Sequence, residues 1–242
     1  MKRLLKWGCL VTTGLVVLFA VMAWRQIRQI RENLAVSTPL AVPIVARDPH
    51  KVAALVEQAQ RVEEDRVLRL KDPELTYIAQ RAVRHPEVLA LLENARRRAL
   101  KALDQVPDPL GFLDGLRLDA VDLSRLRTEV RAADSQLVLR MTAPYLDGQH
   151  HLNLDLAVTG GWAPGAIRLE VKRLVIGELD VLALPIYGRW VHTQVAAGVA
   201  AAARVDEGGP LQDVRVEANA LVLRLTPSGA RQLAGLAREY LR

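Results

Sequence analysis

Cysteine is almost missing from this chain of 242 residues: Cys9 is the single one, so no disulfide within the chain can staple the fold. It lies inside an apolar run, with Lys6 and Trp7 just upstream where a lipoprotein signal would carry small residues. Cys9 therefore reads as a small apolar residue of a membrane helix. Aromatic residues are scarce at 4%, which removes the stacking platforms that hold single-stranded nucleic acid. Acidic residues are lacking altogether from positions 1 to 31, which carry six Lys/Arg. Those six account for the whole formal charge of +6, and residues 32–242 are neutral. The pI near 9.8 thus reflects charge beside an anionic lipid surface, and nucleic acid is not an expected partner.

What is present is one long uncharged stretch, Trp7 to Trp24. At about 1.5 Å per helical residue it spans roughly 27 Å, close to a hydrocarbon core of about 30 Å. A tryptophan at each end suits the two membrane interfaces. The expected organisation is a short cytoplasmic N-terminus (1–6), a transmembrane anchor (7–24), a linker (25–47) and an extracytoplasmic α+β domain (48–242). Val21-Met22-Ala23 has the small-residue pattern of a signal-peptidase site, but the length of the run and its continuation to Trp24 favour an uncleaved anchor. A short N-terminus before one long domain places the body in the periplasm or extracytoplasmic space, held by a single pass of the inner membrane.

Past the linker, Asp48-Pro49 is a helix start, with an N-cap aspartate and proline in the first turn. Val52, Leu55, Val56, Ala59 and Val62 recur at helical spacing. Val67–Leu70 reads as a short extended piece. Asp72-Pro73 repeats the start signal, and His85-Pro86 breaks that helix before a third runs to about Leu103. From Leu126 the apolar period becomes two, and four alternating strands follow, with Asp147-Gly148 and Gly160-Gly161 as turn signals. An alanine-rich helix is expected from Pro185 to about Arg204. A hairpin turning near Asn219 and a last helix from Pro227 complete the chain. The class is α+β: an N-terminal transmembrane helix, amphipathic helices, and a curved antiparallel meander packed on the alanine-rich helix. Leu154 falls on the apolar face of the meander and Asn153 on the opposite, solvated one, so Leu154→Asp should be severe and Asn153→Asp mild.

No catalytic, metal or cofactor constellation emerges. His150 and His151 open a strand, where neighbours point to opposite faces and cannot share one metal. Ser37, Ser124, Ser135 and Ser228 sit in linker, turn or cap contexts, none in G-x-S-x-G. Asp119 and Asp122 look solvated. Arg96-Arg97-Arg98 spreads around its helix as a solvated or membrane-facing surface.

Four segments carry a resemblance. LRLKDPELTYIAQRA (68–82) resembles a helix opening of the YpmS-like bacterial envelope proteins. GQHHLNLDLAV (148–158) is similar to that family's Gly-x-Tyr-hydrophobic-Asn strand. IRLEVKRLVIGELDVLALP (167–185) is similar to its strand ending in hydrophobic-Gly-x-hydrophobic, and NALVLRLTP (219–227) to its closing piece. Lys71 and Asp72 depart from the family's hydroxyl-rich start, and His151 stands where an aromatic is usual. The family's layout looks like a remote relative of the tubular lipid-binding (TULIP-type) modules.

The resemblance implies a non-catalytic envelope protein that holds a lipid or lipid-like component in an apolar groove. The lining would be Leu137, Leu139, Met141, Leu152, Leu154, Leu156, Ile167, Leu169 and Val171, closed by Ala197 and Ala201 of the alanine-rich helix. The same residues would also line an ordinary closed core. The alternatives are a scaffold that binds an envelope protein through its sheet edge or the Arg-rich helix, and a hydrolase.

Overall fold

The computed structural model describes residues 33–46, 48–104, 118–146, 148–163, 166–183, 193 and 211–240. The expected anchor, most of the alanine-rich stretch, Ala197 and Ala201 lie outside the described residues. Among the described residues no helix is long and apolar enough to cross a membrane. The architecture is mixed helix and antiparallel sheet, as the change of hydrophobic period implies.

Helix α1 (Pro49–Asp65) begins where the sequence marks it: the Asp48 side chain accepts from the His50 backbone N–H at 2.9 Å, with Pro49 next. It ends at Arg66, whose left-handed backbone (φ 57°) turns the chain directly into strand β2 (Val67–Lys71). Helix α2 (Asp72–Ala82) corrects one expectation. Lys71, and not Asp72, occupies the N-cap, and the Glu74 carboxylate accepts from the Lys71 N–H at 2.7 Å. The Asp72 carboxylate reaches across to another strand instead. Helix α3 (Pro86–Asp104) follows the His85-Pro86 break.

Strands β3 (Arg127–Ala133), β4 (Gln136–Tyr145), β5 (His150–Ala163) and β6 (Ala166–Ile176) form the meander, extended by the short β7 (Leu179–Asp180). A two-residue strand, β1 (Ala35–Val36), also pairs with β5, through Leu152 and His151. Gly160-Gly161 makes no turn. Strand β5 runs on to Ala163 with Gly160 opposite Leu169 and Gly161 opposite Arg168, and the chain reverses between Ala163 and Ala166. Pro164-Gly165, the dipeptide between them, was the stronger turn signal.

The last hairpin, β8 (Leu211–Glu217) and β9 (Ala220–Leu225), joins a different sheet. Strand β9 pairs with β2 from Val67↔Arg224 to Lys71↔Ala220, giving the order β2-β9-β8. Helix α4 (Pro227–Tyr240) follows. The main core lies between α1, α2, α4 and this three-stranded sheet: Val52, Leu55, Val62, Leu68, Leu70, Leu75, Tyr77, Leu225 and Ala230 are buried together, and Ala132 of β3 closes it.

Helix α2 is also the guard of the β3 edge. Asp72 Oδ1 accepts from Ala132 N–H at 2.7 Å, Thr76 Oγ1 donates to Val130 C=O at 2.9 Å and accepts from Val130 N–H at 3.1 Å, and Gln80 Nε2 donates to Thr128 C=O at 2.9 Å. Asn219 N–H takes the remaining Ala132 carbonyl at 2.9 Å. The spacing explains why this works. Four helical residues advance about 6.0 Å, and two strand residues about 6.7 Å. One side chain per helical turn therefore meets each outward-facing strand residue.

Residues 33–46, which the sequence assigns to a linker, lie against the sheet. Asn33 C=O accepts from Glu178 N–H at 2.8 Å, and the chain passes so close to Gly177 that a Cβ there would sit 2.0 Å from the Asn33 oxygen. Glycine is required at 177 on that ground, and its φ of +63° adds a second. Further along, Asn153 Nδ2 donates to Thr38 C=O at 3.0 Å, and its Oδ1 accepts from Leu40 N–H at 3.3 Å. Gln80 holds the far end through Pro43 C=O at 2.6 Å and Val45 N–H at 3.2 Å.

Candidate functional site

The strand registers sort the meander into two faces. On one, Val130, Leu139, Leu156 and Leu174 stand in one row across four strands, and Thr128, Met141, Leu154 and Ile176 in the next. A third row is Ala132, Leu137, Val158 and Val171. These rows hold most of the predicted lining. Leu169 and Ile167 share that face by register, opposite Gly160 and Trp162.

The ends of the apolar face are packed. Val158, Val171, Leu174, Leu179 and Val181 form one buried cluster, with Leu137, Leu154, Leu156 and Ile176 at its margin. Val121, Ala143 and Tyr145 form another at the opposite end, with Leu152 beside it. Between them the cover thins. Leu139, Met141, Leu154 and Leu156 are all half-buried, and among the described residues Leu139 and Met141 join neither cluster. Single exposed leucines are ordinary on a protein surface, but four contiguous half-wet side chains at the centre of a sheet form an apolar patch.

The opposite face carries charge and mixes deeply buried side chains with exposed ones. Glu129, Arg140 and Asp155 stand in one row, with Arg131 and Arg173 in the neighbouring one. Glu129 is only 1% exposed, yet its carboxylate meets Arg131 Nε at 2.7 Å and Arg140 Nη1 at 3.2 Å. Asp155 Oδ2 holds Arg173 Nη2 at 2.9 Å and lies 3.9 Å from Arg140 Nε. A carboxylate this deep survives only because cations and hydrogen bonds replace its water. Beside this network Asn153 and Thr142 are buried and joined, Thr142 Oγ1 donating to Asn153 Oδ1 at 2.7 Å. The expectation of a solvated Asn153 is thereby corrected: residues 38–40 cover it.

The histidines fall on opposite faces, His150 opposite Tyr145 and His151 opposite Pro144. Among the described residues no three His, Cys, Asp or Glu gather as a metal site. Asp122 caps a short 3₁₀ turn by accepting from Ser124 N–H at 3.0 Å, and its hydrogen bonds to Ser124, the hydroxyl first, hold its carboxyl below the usual range. Arg96 also departs from expectation. Its Nη1 donates to Val121 C=O at 3.1 Å and Asp119 C=O at 3.3 Å, and its Nη2 meets Glu93 Oε1 at 2.6 Å. It ties α3 to the start of the meander, while Arg97 and Arg98 stay exposed. Nothing in a run of three arginines marks which one turns inward.

Among the described residues the centre of one face is apolar and partly buried, and the charged groups pair with one another on the other. Compared with protein-family models, with curated proteins and with solved structures, the chain matches none.

Proposed function

We propose that this is a non-catalytic, membrane-anchored envelope protein whose meander holds a lipid or lipid-like component on its apolar face. The observation that carries the reading is the partly buried apolar stripe Leu139, Met141, Leu154 and Leu156, of which Leu139 and Met141 join neither flanking cluster among the described residues. An acyl chain laid along it would remove that apolar surface from water at about 25 cal/mol per Å². The uncharged run from Trp7 to Trp24 supplies the membrane, and the likeness to YpmS-like envelope proteins and TULIP-type modules agrees with it. The fold analogy raises the expectation and does not by itself assign an activity.

The test uses the full chain purified from its own host in a mild detergent. Native mass spectrometry should find a co-purified lipid on the unmodified protein. The double substitution Leu139→Lys/Met141→Lys should lose it while melting within a few degrees of the original. An unmodified chain with no lipid, or a variant that keeps it, would end this reading. A second reading, a scaffold for envelope assembly, is favoured by one observation: among the described residues the outer edge of β8 has no partner strand.

A further inference from the structure

We infer that the outer edge of β8 docks a second copy of this chain, β8 against β8, in antiparallel register centred on Val214. The inference is independent of the lipid reading.

The phase of the edge follows from the hairpin. Two residues, 218 and 219, link Glu217 to its partner Ala220, so Glu217, Arg215 and Asp213 bond their backbone groups to β9. The other side of β9 agrees, since Leu225 N–H donates to Arg66 C=O next to β2. The N–H and C=O of Val214 and Val216 therefore point outward. An open groove of about 620 Å³ is lined by β8 from Gln212 to Glu217 together with Arg224 of β9, Ser135 and Gly160. The contrast with β3 matters, because there helix α2 occupies the corresponding backbone groups. Among the described residues no strand pairs with this edge of β8, and such edges are templates for another strand.

Charge identifies the occupant. The strand reads Gln212-Asp213-Val214-Arg215-Val216, which about Val214 is its own electrostatic complement. With Val214 opposite the partner's Val214, Asp213 faces the partner's Arg215, and Arg215 faces the partner's Asp213. Opposite charges directly across strands stabilise, and like charges destabilise. Sliding the pair to the adjacent register that keeps the faces aligned sets Arg215 against the partner's Arg215, or Asp213 against the partner's Asp213. A parallel in-register pairing does the same. The two registers adjacent to the one centred on Val214 are thus disfavoured; the next, centred on Val216, pairs Arg215 with the partner's Glu217 but leaves Asp213 without a cation, so the Val214 register is the one that satisfies both Asp213 and Arg215. Asp213 already faces Arg224 on β9. The joined sheets would then carry the row Arg224, Asp213 and the partner's Arg215, alternating in sign as Glu129, Arg140 and Asp155 do in the meander. In the single chain Arg215, with its side chain 70% exposed, lies back along its own strand onto Asp213, Nε to Oδ2 at 2.7 Å.

The experiment measures the mass of the full-length protein in detergent micelles by sedimentation equilibrium, across protein concentrations. The unmodified chain should be dimeric. Arg215→Asp brings carboxylate against carboxylate twice in the dimer and should weaken association about tenfold or more. The double exchange Asp213→Arg/Arg215→Asp restores both pairs and should return the dissociation constant to within about threefold. Val214→Pro removes an outward N–H that no strand among the described residues uses, and should abolish the dimer. Circular dichroism checks that each variant folds, and the exposed Arg215 carries the test if Val214→Pro does not. A monomeric unmodified chain overturns the proposal. So does a dimer indifferent to Arg215→Asp, a loss that the double exchange fails to rescue, or association with a different protein in place of a second copy.

Discussion

The two faces of the meander are built on opposite terms. The face that carries the ions buries Glu129 at 1% exposure, with Asn153 and Thr142 beside it, while Arg131 and Arg173 stay exposed around them. The face that carries the leucines buries Thr128, Ala132, Val158, Val171 and Leu174, and leaves Leu139, Met141, Leu154 and Leu156 partly buried. Burial of a carboxylate is costly and burial of leucine is favourable, so the ion face needs paired cations and hydrogen bonds where the leucine face needs only packing. The difference teaches that the two faces are held by different means: residues 33–46 and the arginines satisfy the buried polar groups of one, and apolar clusters pack the ends of the other.

The largest expected effect breaks the ion face. Glu129→Ala leaves Arg131 and Arg140 without their carboxylate and should cost about 3–5 kcal/mol in chemical denaturation. Glu129→Met/Arg131→Met/Arg140→Met, which removes the carboxylate with both of its arginine partners, should recover most of that loss. If the single and triple variants melt alike, the ion network is not what holds the face.

Next comes the pair Asn153→Asp and Leu154→Asp, adjacent residues on the two faces. Asn153→Asp sets a carboxylate oxygen against the Thr38 carbonyl in place of an N–H donor, at about 2–4 kcal/mol. Leu154→Asp falls at a partly buried position, where water still reaches the new charge, at about 1–2 kcal/mol. This reverses the ranking that alternation alone suggests, and thermal melts of the two variants decide it.

The smallest effect belongs to the Arg96 clamp. The hydrogen bond from Arg96 is the largest cause holding the Glu93 carboxyl below its ordinary value, against desolvation that raises it. A lowered folded-state value adds stability above the unfolded range, and that increment is lost as pH falls through the folded one. The contact between α3 and residues 119–121 should therefore loosen below pH ~4. Glu93→Gln should flatten that part of the stability profile and leave neutral pH almost unchanged.

Much of the framework was legible because its signals are local. Asp48-Pro49, His85-Pro86, the alternation from Arg127 onward and the Asn219 turn each act within a few residues. The two faces were legible too, since period two assigns every side chain. Their cover was not. Ser37-Thr38-Pro39 looks like a linker, and its bond to Asn153 spans 115 residues. The pairing of β2 with β9 joins Val67 to Arg224, and no short window contains both. Thr76 reads as an indifferent helical threonine until β3 is laid beside it.

The guard on β3 has a built-in limit of length. A helix and a strand graduated in steps of about 6.0 and 6.7 Å behave like the two scales of a vernier. Set to coincide at Thr76, they are off by about 0.7 Å at Asp72 and at Gln80, which side-chain torsions absorb. One step further the error reaches about 1.3 Å, beyond what a hydrogen bond tolerates. Three rungs are therefore all that a straight helix can offer, and β3, with Thr128, Val130 and Ala132 facing outward, uses all three. Lengthening the β3–β4 hairpin by one residue pair would push a bare rung past the end of the scale and hand the large sheet a sticky edge of its own.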